Sequence, residues 1–391
     1  MLDFDLPTAE IEKRKQLIRD VWEYKKVDHI PVMLTVNSNP YGCTVHDELF
    51  SKEKQLQLRL ATIKRTLELV PDDYIPSMWA NVGCVAIENA LGLELYYGQS
   101  TDQMPYVRGR VLERIEDIYT LKPVDPYRDG LLPEFLDRVR YFVEQTDHQI
   151  PVTCLDMNGP MAIAMAIVGS EALLSGMYTH PDEVKYLLNF AMDNILAVTE
   201  ACLEAAGGLE YVTSTDFVWE WFPEGKKGHV SDDLCTMYKP EFFKEFSIPV
   251  NNRVFERYGP GTLHNCGPNP CLGYYLEHTP RISGVDLDFK CSRKDLPRFR
   301  EPFRGRGVIY LFLEYVSYDQ VIADYGYIVE SLAPDVIAIP SISIPEERVN
   351  AGECDVKRLY EDLFRMSTDY AHRMWPTGCG PTGCGPTGCG G

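Results

Sequence analysis

Short apolar runs alternate with longer amphipathic stretches along most of this chain, and this alternation constrains its fold more than any other feature. The runs end in polar or glycine-containing turns, which predicts strands, whereas the stretches of about 15 residues or more have helical spacing. The predicted strands are residues 30–36, 74–79, 150–156, 211–216, 262–266, 284–289, 308–315 and 336–342. The predicted helices are residues 6–26, 52–69, 84–91, 170–177, 181–206, 240–258, 270–277, 317–331 and 355–373.

Helices that alternate with strands supply the crossover connections that parallel strands need. Eight such strands in a chain of 391 residues predict an α/β fold, a single (β/α)8 TIM barrel. An open doubly wound sheet is the alternative, but no Gly-x-Gly-x-x-Gly follows a predicted strand, so its dinucleotide-binding form lacks its signature. We expect an N-terminal helical extension over residues 1–26, one barrel domain over 27–375 and a Cys/Gly-rich tail over 376–391.

The predicted tail repeats Pro-Thr-Gly-Cys-Gly three times from Pro376, which places Cys379, Cys384 and Cys389 at equal spacing. A segment of this composition cannot bury a core. Two interpretations stay open, a disordered appendage and a flexible thiol arm that carries a soft metal.

The net charge of -20, from 58 acidic and 38 basic residues, disfavours nucleic acid and anionic membrane surfaces as partners. A small molecule or a basic protein patch fits better. The first residues are charged and lack the apolar core of a signal peptide, and no run of about 18 apolar residues is present. We therefore expect a cytoplasmic protein whose twelve cysteines are reduced or bind metal.

The most specific candidate site lies in residues 261–268, where His264 and Cys266 are separated by one residue. Alternate side chains of a strand point the same way, so these two would project from one face and could bind one zinc ion. A catalytic zinc site needs a third protein ligand and one open position. The alternative is a buried histidine beside a buried cysteine.

Polar side chains also lie at the ends of the other predicted strands, which meet at one mouth of a barrel. Any single one has a capping or hydrogen-bonding role as its alternative, but their convergence favours a site. We expect Asp156, Asp216 and Asp288 to be catalytic, and Asn37 and Asn158 to bind a cofactor. The remaining polar residues of this set are Asp286, Glu314, Ser341 and Ser343. Three aromatic residues, Trp219, Trp221 and Phe222, form either an apolar pocket or ordinary packing under a loop.

Several of these motifs together resemble the uroporphyrinogen decarboxylase superfamily. They are the segment from Gly228 (GHVSDDLCTMYKPEFFKEFSIPVNNRVF) to the His-x-Cys-Gly motif, the sequence DMNGP at 156–160 and the sequence GSE at 169–171. The chain is most similar to the zinc-dependent methyltransferases that act with a separate corrinoid protein, and the resemblance covers residues 27–373. It implies a barrel that binds its substrate or cofactor at the C-terminal mouth.

The resemblance also implies a set of zinc ligands, which this chain matches in part. Thiol-methylating members use the histidine and cysteine of the motif, here His264 and Cys266, and a second cysteine near the end of strand eight. Residues 339–345 read Ile-Pro-Ser-Ile-Ser-Ile-Pro, with serine where that thiolate is expected. The candidate replacements are Glu314, Asp216, Asp288 and a cysteine of the tail. We favour Glu314, because related O-demethylating members are expected to use carboxylate ligands.

These features predict a zinc-dependent methyltransferase that moves a methyl group between a small substrate, a methyl ether or a thiol, and the corrinoid of a separate protein. No Asp-x-His-x-x-Gly indicates a corrinoid-binding module in this chain. One alternative is a metal-free decarboxylase that uses Asp156 or Asp216. Residues 37–42 lack the arginine-rich segment of the haem-pathway decarboxylases, which disfavours a porphyrinogen substrate. The other alternative is a non-catalytic carrier of a metal or a methyl-corrinoid that uses the cysteine tail.

Overall fold

The computed structural model describes residues 4–70, 73–278 and 282–376. The strands are β1 (Met33–Asn37), β2 (Leu95–Tyr96), β3 (Tyr106–Val107), β4 (Gly228–Ser231), β5 (Gly261–His264), β6 (Ile282–Asp288), β7 (Val308–Glu314) and β8 (Ile337–Pro345). The α-helices are α1 (Thr8–Trp22), α2 (Val45–Phe50), α3 (Lys52–Leu69), α4 (Ala86–Ala90), α5 (Leu132–Gln145), α6 (Pro160–Val168), α7 (Ser170–Thr179), α8 (Pro181–Ala206), α9 (Pro240–Phe242), α10 (Ile248–Tyr258), α11 (Leu272–His278), α12 (Phe289–Ser292), α13 (Arg300–Phe303), α14 (Tyr318–Leu332), α15 (Glu346–Asn350) and α16 (Val356–Met374). The 3₁₀ segments are Ile115–Thr120, Leu209–Tyr211, Asp233–Met237 and Arg293–Phe299, and Phe243–Ser247 is a π-helix.

The protein has an α/β fold with a parallel sheet of six strands in the order β1-β8-β7-β6-β5-β4, and β2 and β3 form a separate antiparallel pair. The longest pairing joins β7 and β8, in register from Val308 opposite Ile337 to Glu314 opposite Ser343. Both strands are buried over most of their length and read as continuous apolar runs, which is typical of parallel strands covered on both faces.

The chain divides into two compact units. The first is formed mainly by Asn39–Ala61 and Pro76–His264 and contains the β4–β5 pair. The second is formed mainly by Leu6–Ser38, Thr62–Ile75 and the chain from Asn265 onward, and contains β1, β8, β7 and β6 as parallel neighbours. The predicted limits at 26 and 375 stay a prediction, and residues 377–391 of the predicted tail lie outside the described residues.

Three of the predicted strands, 74–79, 150–156 and 211–216, contain only isolated parallel bridges, which join Met78 to Val152 and Val152 to Val212. Proline at 76 and 151 removes backbone donors from the first two segments. In the third, the Thr213 and Ser214 hydroxyls donate to nearby backbone carbonyls, an alternative to extended pairing. Each segment keeps a parallel bridge, in the direction predicted, but the pairing does not continue far enough to form a strand.

Three strands, β2, β3 and β4, were not predicted, and of these β4 belongs to the parallel sheet. It pairs in parallel with β5, from Gly228 opposite Gly261 to Ser231 opposite His264. A Cβ on Gly261 would lie 1.5 Å from the carbonyl oxygen of Gly228, so glycine is required for the two backbones to approach this closely.

Strand and helix limits correct several other predictions. Because β5 ends at His264, Cys266 lies beyond the strand, and the prediction that both residues project from one strand face was wrong. Ser341 and Ser343 lie within β8 rather than after it. The helix predicted over 240–258 is divided by the π-helical segment, and α5 and α6 were missed.

No single helix within the described ranges combines the length and apolar character needed to cross a bilayer. The bent pair α6 and α7, with an angle of 106° between them, satisfies this criterion only as a pair, by length and composition.

Candidate functional site

Three potential metal ligands converge just after β4 and β5. The ligand atoms of Asp233, His264 and Cys266 all lie within 4.8 Å of one another, and His264 Nε2 is 3.7 Å from Asp233 Oδ1. Neighbouring ligands of tetrahedral zinc are separated by about 3.4 Å for nitrogen and oxygen and about 3.6 Å for nitrogen and sulfur. The observed separation of His264 and Asp233 is close to this value, and one nitrogen, one oxygen and one sulfur suit zinc. The three residues therefore fit a zinc ion with an open fourth position.

A buried neighbour, Asp232, fixes the position of Asp233. The backbone N–H of Asp232 donates to the carbonyl oxygen of His264 over 3.0 Å, so the segments that carry Asp233 and His264 are joined directly. Its carboxylate accepts hydrogen bonds from the Tyr238 hydroxyl (3.1 Å) and from Asn251 Nδ2 (3.0 Å). Burial raises the pKa of Asp232 to about 6. Asp233 begins the 3₁₀ turn that follows, with its own side chain exposed.

A second histidine, His229, lies near the candidate ligand His264. His229 on β4 is buried, and its Nδ1 is 2.6 Å from the hydroxyl of Thr262 on β5. Its ring centroid is 6.5 Å from that of His264. The parallel register places His229 beside Thr262 and Ser231 beside His264, so this pair of short strands determines the position of the His264 ring.

Two aspartates near His264, the buried Asp216 and the half-buried Asp156, have raised pKa values. Asp216 Oδ1 accepts hydrogen bonds from the backbone N–H groups of Phe217 (2.7 Å) and Met157 (3.2 Å), and burial raises its pKa well above the usual range. Burial also raises the pKa of Asp156 to about 6; His264 lowers it and Asp233 raises it further. The structure therefore brings Asp156, predicted to be catalytic, together with His264 and with Asp233.

The Asn158 side chain is held by a carboxyl group that the sequence did not identify. Asn158 Nδ2 donates to Glu88 Oε1 over 2.7 Å and to the carbonyl oxygen of Cys84 over 3.3 Å. Glu88 is 1% exposed, and in the described chain its Oε2 has no hydrogen-bond partner. Burial raises the pKa of Glu88 to about 7 and that of the Cys84 thiol to about 12, and Asp156 contributes to both shifts.

Other predicted site residues form a separate group in the second unit. Asn37 is the last residue of β1, and its Nδ2 donates to the hydroxyl of Ser343 over 2.6 Å. Glu314 is exposed at the end of β7, opposite Ser343 in the register. The group of three metal-ligating side chains contains Asp233, and Glu314 is not part of it.

Asp288, predicted to be catalytic, caps a helix. Its Oδ1 accepts a hydrogen bond from the backbone N–H of Cys291 over 2.8 Å at the start of α12. This is the usual function of an aspartate at a helix N-cap.

The predicted aromatic group separates into two parts. Trp219 is 38% exposed, and its ring lies 6.1 Å from Trp79 and 5.4 Å from Phe217. Trp221 and Phe222 are buried and belong to the core. The aromatic surface next to Asp216 is therefore formed by Trp219, Phe217 and Trp79.

Comparisons with known proteins give a family match and a structural match. The sequence model of the family "Uroporphyrinogen decarboxylase (URO-D)" matches residues 13–301. A solved structure, that of a methyltransferase from Methanosarcina mazei, is similar with a TM-score of 0.63 and 17% sequence identity, covering 91% of this chain and 98% of that chain. At this identity the similarity establishes the fold alone. The comparison with curated proteins finds no match.

Proposed function

The chain belongs to the uroporphyrinogen decarboxylase family, and we propose that within this family it is a zinc-dependent methyltransferase. It would move a methyl group between a small substrate and the corrinoid of a separate protein. The main support for this proposal is that the ligand atoms of Asp233, His264 and Cys266 all lie within 4.8 Å of one another. The structural similarity to a methyltransferase from Methanosarcina mazei supports the same reaction class.

His264, Cys266 and Asp233 would hold the metal. Zinc bound there would supply Lewis acidity toward a methyl-ether oxygen or would lower the pKa of a bound thiol. A ligand set with one thiolate leaves more positive charge on the metal than one with two, which favours a methyl ether. The exposed side chains of Asp233 and Cys266 leave this site open to a substrate.

Asp156 would hold the proton that the reaction needs. With its pKa raised to about 6 and with His264 as an electrostatic neighbour, its carboxyl group can carry a proton in mildly acidic to neutral solution. Transfer of that proton to the oxygen that loses its methyl group would release a neutral alcohol. Asp216, buried and hydrogen-bonded by two backbone N–H groups, would keep its own proton and hold the turn after Asp156 in place.

The proposal includes a closed (β/α)8 barrel and a corrinoid partner. The bridges Met78–Val152–Val212 support the barrel, because they continue parallel pairing through segments between β1 and β4 of the chain. In such a barrel the ends of parallel strands form one binding face. Trp219, Phe217 and Trp79 would then give an apolar surface beside Asp216 for the substrate.

Metal analysis and methyl transfer test the proposal together. We expect about one equivalent of zinc in the purified protein and its loss in His264→Ala. We also expect transfer of a methyl group from an aryl methyl ether to free cob(I)alamin, followed by the corrinoid absorbance. Zinc below about 0.2 equivalents after metal-replete expression, unchanged by His264→Ala, would contradict the metal centre.

The alternative enzyme is a decarboxylase without a metal. The raised pKa values of Asp156 and Asp216 support it, because carboxyl groups that bind protons more tightly can hold and transfer them without a metal. The two activities respond differently to a chelator. Removal of zinc should abolish methyl transfer and leave a decarboxylase unaffected.

A further inference from the structure

Two exposed thiols, Cys266 and Cys291, lie in neighbouring segments of the second unit. Among the nine cysteines in the described part of the chain, these two are exposed and the other seven are buried or half-buried. Cys266 follows β5, and Cys291 lies in α12 directly after β6. Core packing does not account for such a pair, because reduced cysteine is among the most buried residue types.

Close backbone packing holds the two thiol-bearing segments together. The hydroxyl of Ser292 donates to the carbonyl oxygen of Cys266 over 3.0 Å, and Asn269 Nδ2 donates to the Ser292 hydroxyl over 3.1 Å. Gly267 has a φ of +105°, and a Cβ there would lie 2.5 Å from Ser292 Oγ and 3.0 Å from the carbonyl carbon of Cys291. Because Ser292 and Asn269 are fully buried, separating the segments would break buried hydrogen bonds.

The Cys291 thiol donates a hydrogen bond to the Asp288 carboxylate and interacts electrostatically with Cys266 and Lys290. Its sulfur is not one of the three ligand atoms within 4.8 Å of one another. Rotation about χ1 moves a cysteine sulfur by about 3 Å between staggered positions and leaves the backbone in place. The backbone N–H of Cys291 stays bonded to Asp288 throughout such a rotation, since that bond does not involve the thiol.

We propose that Cys291 is a further ligand of the cation bound by Cys266, which makes this a two-thiolate site selective for a soft or borderline divalent cation such as zinc. The inference rests on the cation site of the proposed function and adds a ligand to it. Each thiol releases its proton to solvent on binding. With His264, Asp233 and Cys266, Cys291 completes a tetrahedral shell in the resting site. A substrate would displace Cys291 from the fourth position, which leaves the metal with the single thiolate of Cys266, as in the proposed function.

Cobalt(II) binding to the full-length protein tests this inference, because the near-ultraviolet sulfur-to-cobalt absorbance increases with the number of thiolates. Cys291→Ser should lose about half of that absorbance and bind cobalt about 10- to 100-fold more weakly. Cys43→Ser is the matched control, on a half-buried thiol outside the site, and should match the wild type. A triple variant with serine at Cys379, Cys384 and Cys389 should also match it, which excludes the tail as the source of the second thiolate.

The other possible results distinguish failure of this inference from failure of the proposed zinc centre. Wild-type absorbance and affinity in Cys291→Ser, with both lost in His264→Ala, would overturn the inference and leave the proposed zinc centre intact. Loss of the second thiolate in the triple variant would assign it to the tail and overturn the inference. A wild-type protein that binds no cobalt would refute both. If Cys291→Ser does not fold, the cadmium-113 chemical shift of the wild-type protein reports the number of thiolates, and a one-thiolate value would overturn the inference.

Discussion

Asn158 Nδ2 donates to Glu88 Oε1 over 2.7 Å and to the carbonyl oxygen of Cys84 over 3.3 Å. A backbone carbonyl can only accept, so the contact with Cys84 fixes the orientation of the Asn158 amide. Both contacts use the amide nitrogen, and the side-chain oxygen is the acceptor that remains for a ligand. Glu88 therefore helps to orient a residue that we expect to bind the cofactor.

Replacement of Glu88 by glutamine should change how stability depends on pH. Burial raises the pKa of Glu88 to about 7 in the folded chain, whereas a glutamate in an unfolded chain has a pKa of about 4.3. The folded state thus binds this proton more tightly. The resulting stabilisation is complete below about pH 4.3 and is lost as the pH rises through about 7.

Glutamine keeps an acceptor for Asn158 and does not ionise. Between pH 4.3 and 8, the stability of Glu88→Gln relative to the wild type should therefore rise by about 3 kcal/mol. Urea denaturation at a series of pH values measures this difference. A difference that stays constant over that range would contradict the burial of Glu88 as a protonated acid.

Where helices and strands are long, the pattern of apolar and polar residues alone predicts much of the fold. The sequence predicts α3 and α8 with the observed limits, because a long amphipathic stretch has many residues that agree on one period and proline marks the first turn of α8. The apolar runs that form β7 and β8 are found for the same reason. The predictions fail for short elements, where a few tertiary hydrogen bonds decide the conformation.

The candidate site was predicted in part. His264, Cys266 and Asp156 were identified because they follow apolar runs, and the structure brings His264 together with each of the other two. Asp233 was missed because it follows β4, a strand of four residues that begins with glycine and has too few residues to show a period. The sequence feature that could have identified Asp233 is the pair of acidic residues, Asp232 and Asp233, which follows Val230 and Ser231. Glu88 carries no comparable signal, since its role depends on a contact with Asn158, 70 residues away.

The identity of the third metal ligand can be tested by comparing two carboxylates. Asp233→Asn should weaken zinc binding about 10- to 100-fold, because an amide oxygen carries no charge. Glu314→Gln is the matched control and should bind zinc like the wild type, since Glu314 lies outside the group of three ligands. Competition with a colorimetric chelator gives both affinities. Normal zinc binding in Asp233→Asn with weakened binding in Glu314→Gln would instead identify Glu314 as the third ligand.

The pH dependence of methyl transfer should report on Asp156. If its carboxyl group supplies the proton, turnover falls as the pH rises through the pKa of Asp156, because the acid form is lost. That pKa is about 6 in the metal-free chain, and zinc bound by His264 would lower it. Asp156→Asn should lower kcat about 100-fold or more and remove this dependence, since an amide does not titrate. The pH–rate profile of kcat measures both effects. The same descending limb in Asp156→Asn would show that another group supplies the proton.

The contact between Gly159 and β4 predicts that alanine at this position disturbs the site as well as the fold. Gly159 has a φ of -69°, which suits alanine, so the effect depends on space alone. A Cβ there would lie 1.7 Å from the carbonyl oxygen of Ser231, the residue opposite His264 in the register. The end of β4 must move to make room, and Asp232 and Asp233 follow it directly. We expect Gly159→Ala to lower stability by about 3 kcal/mol and to weaken zinc binding.

The matched control is Gly273→Ala in α11, where a Cβ would have no heavy atom within 4 Å. Alanine is the better helix former, so this variant should be neutral or more stable by up to about 1 kcal/mol and should bind zinc normally. Thermal unfolding and zinc titration of both variants test the pair. If Gly159→Ala unfolds at the wild-type temperature with unchanged zinc affinity, the turn after Asp156 does not pack against Ser231. Loss of stability with normal zinc affinity would instead limit this contact to the fold.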